Sequence, residues 1–526
     1  MKQFFLISNI IVMLCFSGFS QEGQYVSKVK RYGSRPALIR GPYLQAATST
    51  SMVVRWRTDE TDVSFVRYGT DMNKLDKLAG AGNQTREHIV TLAALEPQTK
   101  YYYLIEGLKD TLQFDASNNF VTLPPIGKED KYRIGVFGDC GNNGTNQRNT
   151  RDQFEKYLGK DPLTAWILLG DNAYSFGTDM DYQSEFFNAY KDRLLKSSPL
   201  FPAPGNHDYK DESYVAEIAQ RSGEIAYYQN FTMPTKGESG GVPSNTAAYY
   251  SFDIGNIHFL SLDSHGTEEN GARLFDTSGK QVRWVKSDLE ANRNKGWTVV
   301  YWHHAPYSMG SHNSDTEKQM VKIRENFIRI LERYGVDLVL CGHSHSYERS
   351  KLMQGHYGME ETFSPDKHLL SQSSGFYDGS NNSCPYIKDS TGKGTVYVLS
   401  GSSGRVDGKQ LSFPHDAMPF SDISTGGACI LEVEANRLDL KWICADGSIR
   451  DRFTMMKAVN KKTIINSKQG EAVSLRASYI GKYKWEGMPQ TERAVDVKPP
   501  VGISTYTVSD PYSCIKDTFE IHVSKK

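Results

Sequence analysis

The 526-residue sequence has no excess of either charge: 61 Lys and Arg stand against 61 Asp and Glu, a formal net charge of +0. That excludes a strongly basic nucleic-acid binder and a polybasic membrane-surface protein. Repeats and low-complexity tracts are missing, and 38% hydrophobic residues with 12% aromatics exclude bulk disorder. Cysteine is sparse, at 7 residues, and no two have the Cys-x-x-Cys spacing of a zinc ribbon or redox motif. Long apolar runs are confined to the N-terminus.

There, Lys2 precedes an apolar run from Phe4 to Phe19, and small Gly18 and Ser20 suit a signal peptidase. The run is shorter than the roughly 20 residues a spanning helix needs. Residues 1–20 therefore read as a signal peptide with the mature start near Gln21, and bulky Leu14 before Cys15 argues against a lipoprotein. The expectation is a secreted, periplasmic or cell-surface protein with no transmembrane segment after signal removal. Of the six remaining cysteines, Cys429 and Cys444 lie in neighbouring strand-like runs, either bridged or as two buried thiols. Cys140 and Cys341 read as packing residues.

At about 150 residues per domain the length suggests two to four domains. Residues 36–124 alternate as short strands (SMVVRWRT, SFVRYGT, HIVTLAAL, KYYYLIEGL) between Asp-, Asn- and Gly-rich turns, the texture of a β-sandwich. Pro124, Pro125 and a polar GKEDK stretch mark a linker. From 130 to 455 apolar strands alternate with helical patterns near Asn149–Lys160, Gln281–Asn294 and Glu317–Tyr334, predicting a layered α/β domain. The polar stretch from His356 to Lys393 reads as a site-covering loop. Residues 456–526 return to β texture.

The chemistry concentrates in five short motifs, most just after a predicted strand. They are FGDCG (Asp139), LLGDNAY (Asp171, Tyr174), PGNHD (Asn206, His207), WHHAP (His303, His304) and CGHSHSYE (His343, His345). Each alone is weak, since a Gly-Asp after a strand is usually a turn. Together they are not. Open α/β sheets gather such loops at the carboxyl ends of strands, so five can converge on one crevice. The mixed oxygen and nitrogen set suits Zn²⁺, Mn²⁺ or iron, where Ca²⁺ would take oxygen alone. His343 and His345, two apart, project to one side of an extended backbone. Asp171 has two oxygens with which to bridge a pair of ions. His88, His258 and His522 lie in strand patterns without such motifs and read as structural.

GDCG, GDNAY, GNHD, HAPYS and GHSHSYERS match in order the signature of the calcineurin-like metallophosphoesterases, and the Tyr of GDNAY with the SYERS tail resembles the purple acid phosphatase branch. The resemblance covers Tyr132 to Arg349 well and Thr395 to Val406 loosely. It implies a four-layer αββα catalytic domain over 130–455, a fibronectin-III-like domain over 36–124 and an Ig-like or PKD-like domain over 456–526. It implies that Asp139, Asp171, Tyr174 and His345 hold Fe³⁺, and that Asp171, Asn206, His304 and His343 hold Fe²⁺, Zn²⁺ or Mn²⁺. His304 is chosen over His303 because the family's ligand directly precedes an x-Pro step. His207 and His312 would face the phosphate, one of them protonating the leaving oxygen. The implied activity is hydrolysis of small-molecule phosphate monoesters by a metal-bound hydroxide, with an acid optimum and without a nucleic-acid surface. Rival readings are a phosphodiesterase or 5′-nucleotidase using the same site, and a cell-surface adhesion protein with a phosphatase-like core.

Overall fold

In residues 36–124 the alternating apolar positions bury one face of an antiparallel set of strands. The runs SMVVRWRT and SFVRYGT, read above as two strands, form one strand, Met52–Gly69. Its pairing with Lys77–Leu92 shifts between Arg57 and Asp62 and again before Ser64. The polar TDET stretch is thus a bulge in one strand, not a turn between two. The computed structural model describes residues 35–209, 220, 224–389 and 391–525, so the signal peptide expected at 1–20 lies outside the described residues. Among those described, no helix is long and apolar enough to cross a membrane.

Leu38–Gln45 pairs with this set and also, in parallel at Gln45 and Leu200, with the central strand Leu200–Ala203. The N-terminal strands therefore continue into a mixed 13-stranded sheet that also contains Lys131–Phe137, Ala165–Leu169 and Gly427–Glu434. A second, 7-stranded sheet contains Ile257–Ser261, Trp297–His304, Leu338–Gly342 and Val396–Ser400 in parallel. The sheets pack face to face. Phe201 of one stacks on Phe252 of the other at 3.9 Å, within a buried cluster that includes Ile167, Phe259, Tyr301 and Leu340. Burying side chains of this size contributes roughly 1.5–3 kcal/mol each.

Helices cover the outer faces. Thr145–Leu158, starting earlier than the expected Asn149, packs on Gly427–Glu434 and Arg437–Cys444. On the other side Val282, Val285 and Leu331 pack against Val300, Trp302 and Val339. The expected helix at Glu317–Tyr334 is two α-helical pieces, Lys318–Lys322 and Ile328–Arg333, joined by a π-helical stretch. Alternate residues of Trp297–His304 thus face different layers: Val299 and Tyr301 the opposing sheet, Val300 and Trp302 the helices. This parity decides the metal-site histidine below.

C-terminal strands Lys462–Lys468, Gly502–Ser509 and Lys516–Ser524 enclose a separate cluster around Trp485. Cys514 of this module is bonded to Cys384 in the long polar loop. Cys429 and Cys444 are free buried thiols: Cys429 sits opposite Trp442 and Cys444 opposite Gly427, so the register keeps them apart. The loop from His356 to Lys393 carries Cys384 to the bridge and accepts the Tyr307 hydroxyl on the His356 carbonyl. Among the described residues it supplies no side chain to the cluster described below.

His88 shows how the β segment depends on protons. Its ring is fully buried, stacks on Trp56 at 4.7 Å, and lies 2.8 Å from both Thr58 Oγ1 and Ser64 Oγ. Burial pulls its pKa from 6.5 to about 4. A folded value below the unfolded one means the unfolded chain binds the proton first. Stability is therefore fully present above pH 6.5 and falls as the pH drops toward 4, by on the order of 2–3 kcal/mol. Urea unfolding of wild type and His88→Gln should show a large gap at neutral pH that narrows with acidification. A gap independent of pH would refute the assignment.

Candidate metal centre

Both sheets end their parallel strands on the same crevice. Asp139 follows Lys131–Phe137, Asp171 follows Ala165–Leu169, Asn206 follows Leu200–Ala203, His303 closes Trp297–His304, and His343 follows Leu338–Gly342. Three of these residues have left-handed backbones: Asp139 (φ 54), Asp171 (φ 50) and His343 (φ 75). Such conformations are uncommon outside glycine and gather where function over-determines the chain. Each follows a glycine, and these glycines, like Gly205 before Asn206, are needed for space. A Cβ at Gly342 would lie 2.4 Å from Asp139 Oδ2, and one at Gly205 would lie 2.3 Å from Asp171 Oδ1.

Hydrogen bonds lock the loops to each other. The amides of His343 and His207 donate to Asp139 Oδ2 (3.0 Å) and Asp171 Oδ1 (2.8 Å). Buried Asp208 accepts from the Asn172 amide, the Gly205 amide and the Tyr182 hydroxyl, tying the Asp171 loop to the Asn206 loop.

Two groups of donor atoms result. In the first, the Tyr174 hydroxyl is 3.0 Å from Asp139 Oδ1, 3.2 Å from Asp171 Oδ2 and 3.0 Å from His345 Nε2. His345 Nδ1 is engaged by the Asp407 carboxylate, so its Nε2 presents a lone pair inward. One phenol proton cannot satisfy three acceptors. In the second, His303 Nε2 is 3.2 Å from Asp171 Oδ2, 3.1 Å from Asn206 Oδ1 and 3.2 Å from His343 Nδ1. His303 Nδ1 pairs with the Leu169 carbonyl and His343 Nε2 with Glu317 Oε2, each at 3.0 Å, so both inner nitrogens also present lone pairs. These outer partners fix tautomer and ring orientation as around bound metals. Asp171, His303 and His343, all buried, have ligand atoms close enough for one ion. Asp171 Oδ2 belongs to both groups, while Oδ1 accepts the His207 amide.

The electrostatics agree. Burial opposes charge on Asp171, yet the imidazoles of His303 and His207 hold its carboxyl far below the usual range. Burial likewise opposes protonation of His303, yet Asp171 and Asp139 raise it to about 9. Among protein groups alone, a proton stands where the lone pairs demand a cation. Burial, reinforced by Asp139, drives the Tyr174 phenol well above 10. A bound cation reverses that preference.

His304 does not join either group. Its Nδ1 is 2.8 Å from Ser264 Oγ, and its ring lies between those of His343 (4.3 Å) and His265 (5.9 Å). The structure brings His303, not the expected His304, to Asp171, Asn206 and His343 by strand parity: 303 continues the row of Val299 and Tyr301 toward the opposing sheet. His207 and His312 are at the rim, with side chains 21% and 33% exposed. His207 Nε2 is 3.9 Å from Asp171 Oδ2, and its Nδ1 bonds the Ser175 carbonyl at 2.6 Å. The His312 ring stacks 3.8 Å from His343, and its Nδ1 bonds Glu317 Oε1 at 2.7 Å. Glu317, Asp407 and Ser264 escaped the sequence reading. They act through histidines, and nothing local marks a carboxylate or hydroxyl as a histidine's outer partner.

Comparison with known proteins follows this geometry. Residues 132–347 match the calcineurin-like phosphoesterase family, and residues 41–122 match the purple acid phosphatase N-terminal domain. The chain is 27% identical over 464 residues to "Purple acid phosphatase 21" of Arabidopsis thaliana, covering 83% of this chain and 90% of that protein. It is 28% identical over 333 residues to "Purple acid phosphatase 15" of the same plant, covering 58% of this chain and 57% of that protein. In fold it resembles the purple acid phosphatase PPD1 from yellow lupin seeds, with a TM-score of 0.60 at 18% identity over 80% of this chain and 74% of that one.

Proposed function

The chain is a purple acid phosphatase-like member of the calcineurin-like metallophosphoesterases, and on that premise we propose that it hydrolyses small-molecule phosphate monoesters at two metal ions. In this reading Asp139, Asp171, Tyr174 and His345 hold Fe³⁺. Asp171, Asn206, His303 and His343 hold Fe²⁺, Zn²⁺ or Mn²⁺. One observation carries it: two sets of inward lone pairs share Asp171 Oδ2, with too few protons to satisfy them. Mixed carboxylate, phenol, amide and imidazole donors suit these metals. Two ions in such a site acidify water and neutralise the phosphoryl oxygens.

The chain's own residues then orient and protonate. His207, held through Nδ1 by the Ser175 carbonyl, keeps Nε2 toward the centre. His312 is held in place by Glu317. Either imidazolium would give its proton to the departing alkoxide as a general acid. The need for that proton favours an acid optimum. Export is supported by the N-terminal sequence and by the Cys384–Cys514 bridge, since disulfides persist in oxidising compartments. We assign residues 36–124 to a fibronectin-III-like domain, 130–455 to the catalytic domain, and 456–526 to an Ig-like or PKD-like domain.

Elemental analysis and an absorption spectrum test the centre. Iron-loaded wild type should carry two metal equivalents and a visible band from a phenolate bound to ferric iron. Tyr174→Phe should remove the band while leaving the far-UV circular dichroism unchanged. A colourless wild type would remove the purple branch assignment, and less than one equivalent of metal would remove the phosphatase reading.

A further inference from the structure

The loop from 404 to 413 follows the strand Val396–Ser400 and is clamped along the rim of the centre. The Asp407 amide donates to the His345 carbonyl (3.3 Å), and the Gln410 amide to those of Met309 (2.9 Å) and Gly310 (3.1 Å). On this loop the Arg405 guanidinium carbon sits 5.5 Å from the centroid of the Tyr174 ring. Its Nε–H donates to Asp407 Oδ2 (3.1 Å) and lies 3.2 Å from His345 Nδ1, whose own proton also goes to Asp407. Apart from the ring contact, that single N–H is its only hydrogen-bonding commitment among the described residues. The side chain is 49% exposed, and both terminal nitrogens have no hydrogen-bond partner there. A guanidinium fixed at one end, with its forked end facing solvent beside a phosphate site, matches the geometry that recognises a phosphate in bidentate fashion.

The five motif loops do not need Arg405, and the proposed ligand sets leave it out. Its neighbour Asp407 also engages His345, so the acid on this loop only partly offsets the guanidinium. With His207 and His312 on other parts of the rim, Arg405 adds a fixed positive charge to it. It stands against the ring of Tyr174, one of the proposed metal ligands.

We propose that Arg405 is a specificity-determining residue that binds a second phosphate group of the substrate, favouring diphosphates over simple monoesters. The inference rests on the phosphatase reading and names a substrate class for the same site. For inorganic diphosphate the balance is simple. A water oxygen forms the new P–O bond, and the bridging P–O bond breaks with its electron pair passing to the second phosphate. One water proton stays on the attacked phosphate and the other goes to the departing one.

The test compares kcat/KM for inorganic diphosphate with that for p-nitrophenyl phosphate, both on the metal-loaded full chain. The ratio of the two is the readout, because damage transmitted through His345 or Tyr174 would lower both rates and leave the ratio unchanged. Arg405→Gln should lower the ratio at least tenfold, mainly through the KM for diphosphate. Arg405→Lys keeps the charge but loses the fork, and should lower it at least threefold. Should Arg405→Gln fail to fold, Arg405→Lys decides the matter. A ratio unchanged in the folded variants overturns the proposal but leaves the phosphatase reading intact. Metal-loaded wild type inactive on both substrates overturns both.

Discussion

Asp171→Asn should lower kcat/KM for p-nitrophenyl phosphate by a thousandfold or more, which corresponds to about 4 kcal/mol of transition-state stabilisation. No other side chain belongs to both donor groups, because Oδ2 lies 3.2 Å from the Tyr174 hydroxyl and 3.2 Å from His303 Nε2. Its other oxygen accepts the His207 amide, and an asparagine satisfies that bond by turning its carbonyl the same way. The amide nitrogen then takes the place of Oδ2. It points two N–H donors at lone pairs that would otherwise face an ion. Metal content should drop below two equivalents, because a donor cannot ligate. In the metal-free state the same donors relieve crowded acceptors, so the metal-free variant should unfold no earlier than metal-free wild type. Activity within tenfold of wild type would remove the shared-oxygen centre. Inactivity caused by misfolding would show as an earlier thermal transition in the metal-free variant.

What the sequence made legible follows from how local each signal is. Strand-ending Gly-Asp and Gly-His pairs announce Asp139, Asp171 and His343 because the sharp left-handed turn and its glycine are neighbours in the chain. The layered α/β architecture is legible for the same reason, since each apolar run marks its own strand. Non-local pairings are less so. Cys384 and Cys514 are 130 residues apart with no common motif, whereas for Cys429 and Cys444, in adjacent strands, the sequence left a bridge and two buried thiols both open, and the register keeps them apart. Asp407 reaches His345 from a loop 62 residues on, and Glu317 reaches His343 from 26 residues before it. Such partners are set by tertiary placement, and a short carboxylate-bearing loop looks like any polar turn.

The adjacent histidines carry the sharpest contrast. His303→Ala should remove the second metal equivalent and lower kcat/KM by a thousandfold or more, about 4 kcal/mol. His304→Ala should keep both metal equivalents. The argument is geometric. His303 Nδ1 is tied to the Leu169 carbonyl, which fixes Nε2 against Asp171, Asn206 and His343 at 3.1–3.2 Å. His304 Nδ1 is instead tied to Ser264, whose hydroxyl also accepts the His304 amide at 3.1 Å. His304 Nδ1 is thus committed to Ser264, and among the described residues no hydrogen bond joins its ring to Asp171, Asn206 or His343. The family spacing to the x-Pro step favours His304, yet a one-residue shift along a strand turns a side chain to the opposite face, which no local spacing can compensate. If His304→Ala loses a metal equivalent and His303→Ala keeps both, parity is wrong, and the second ion is held from the helix side of the sheet.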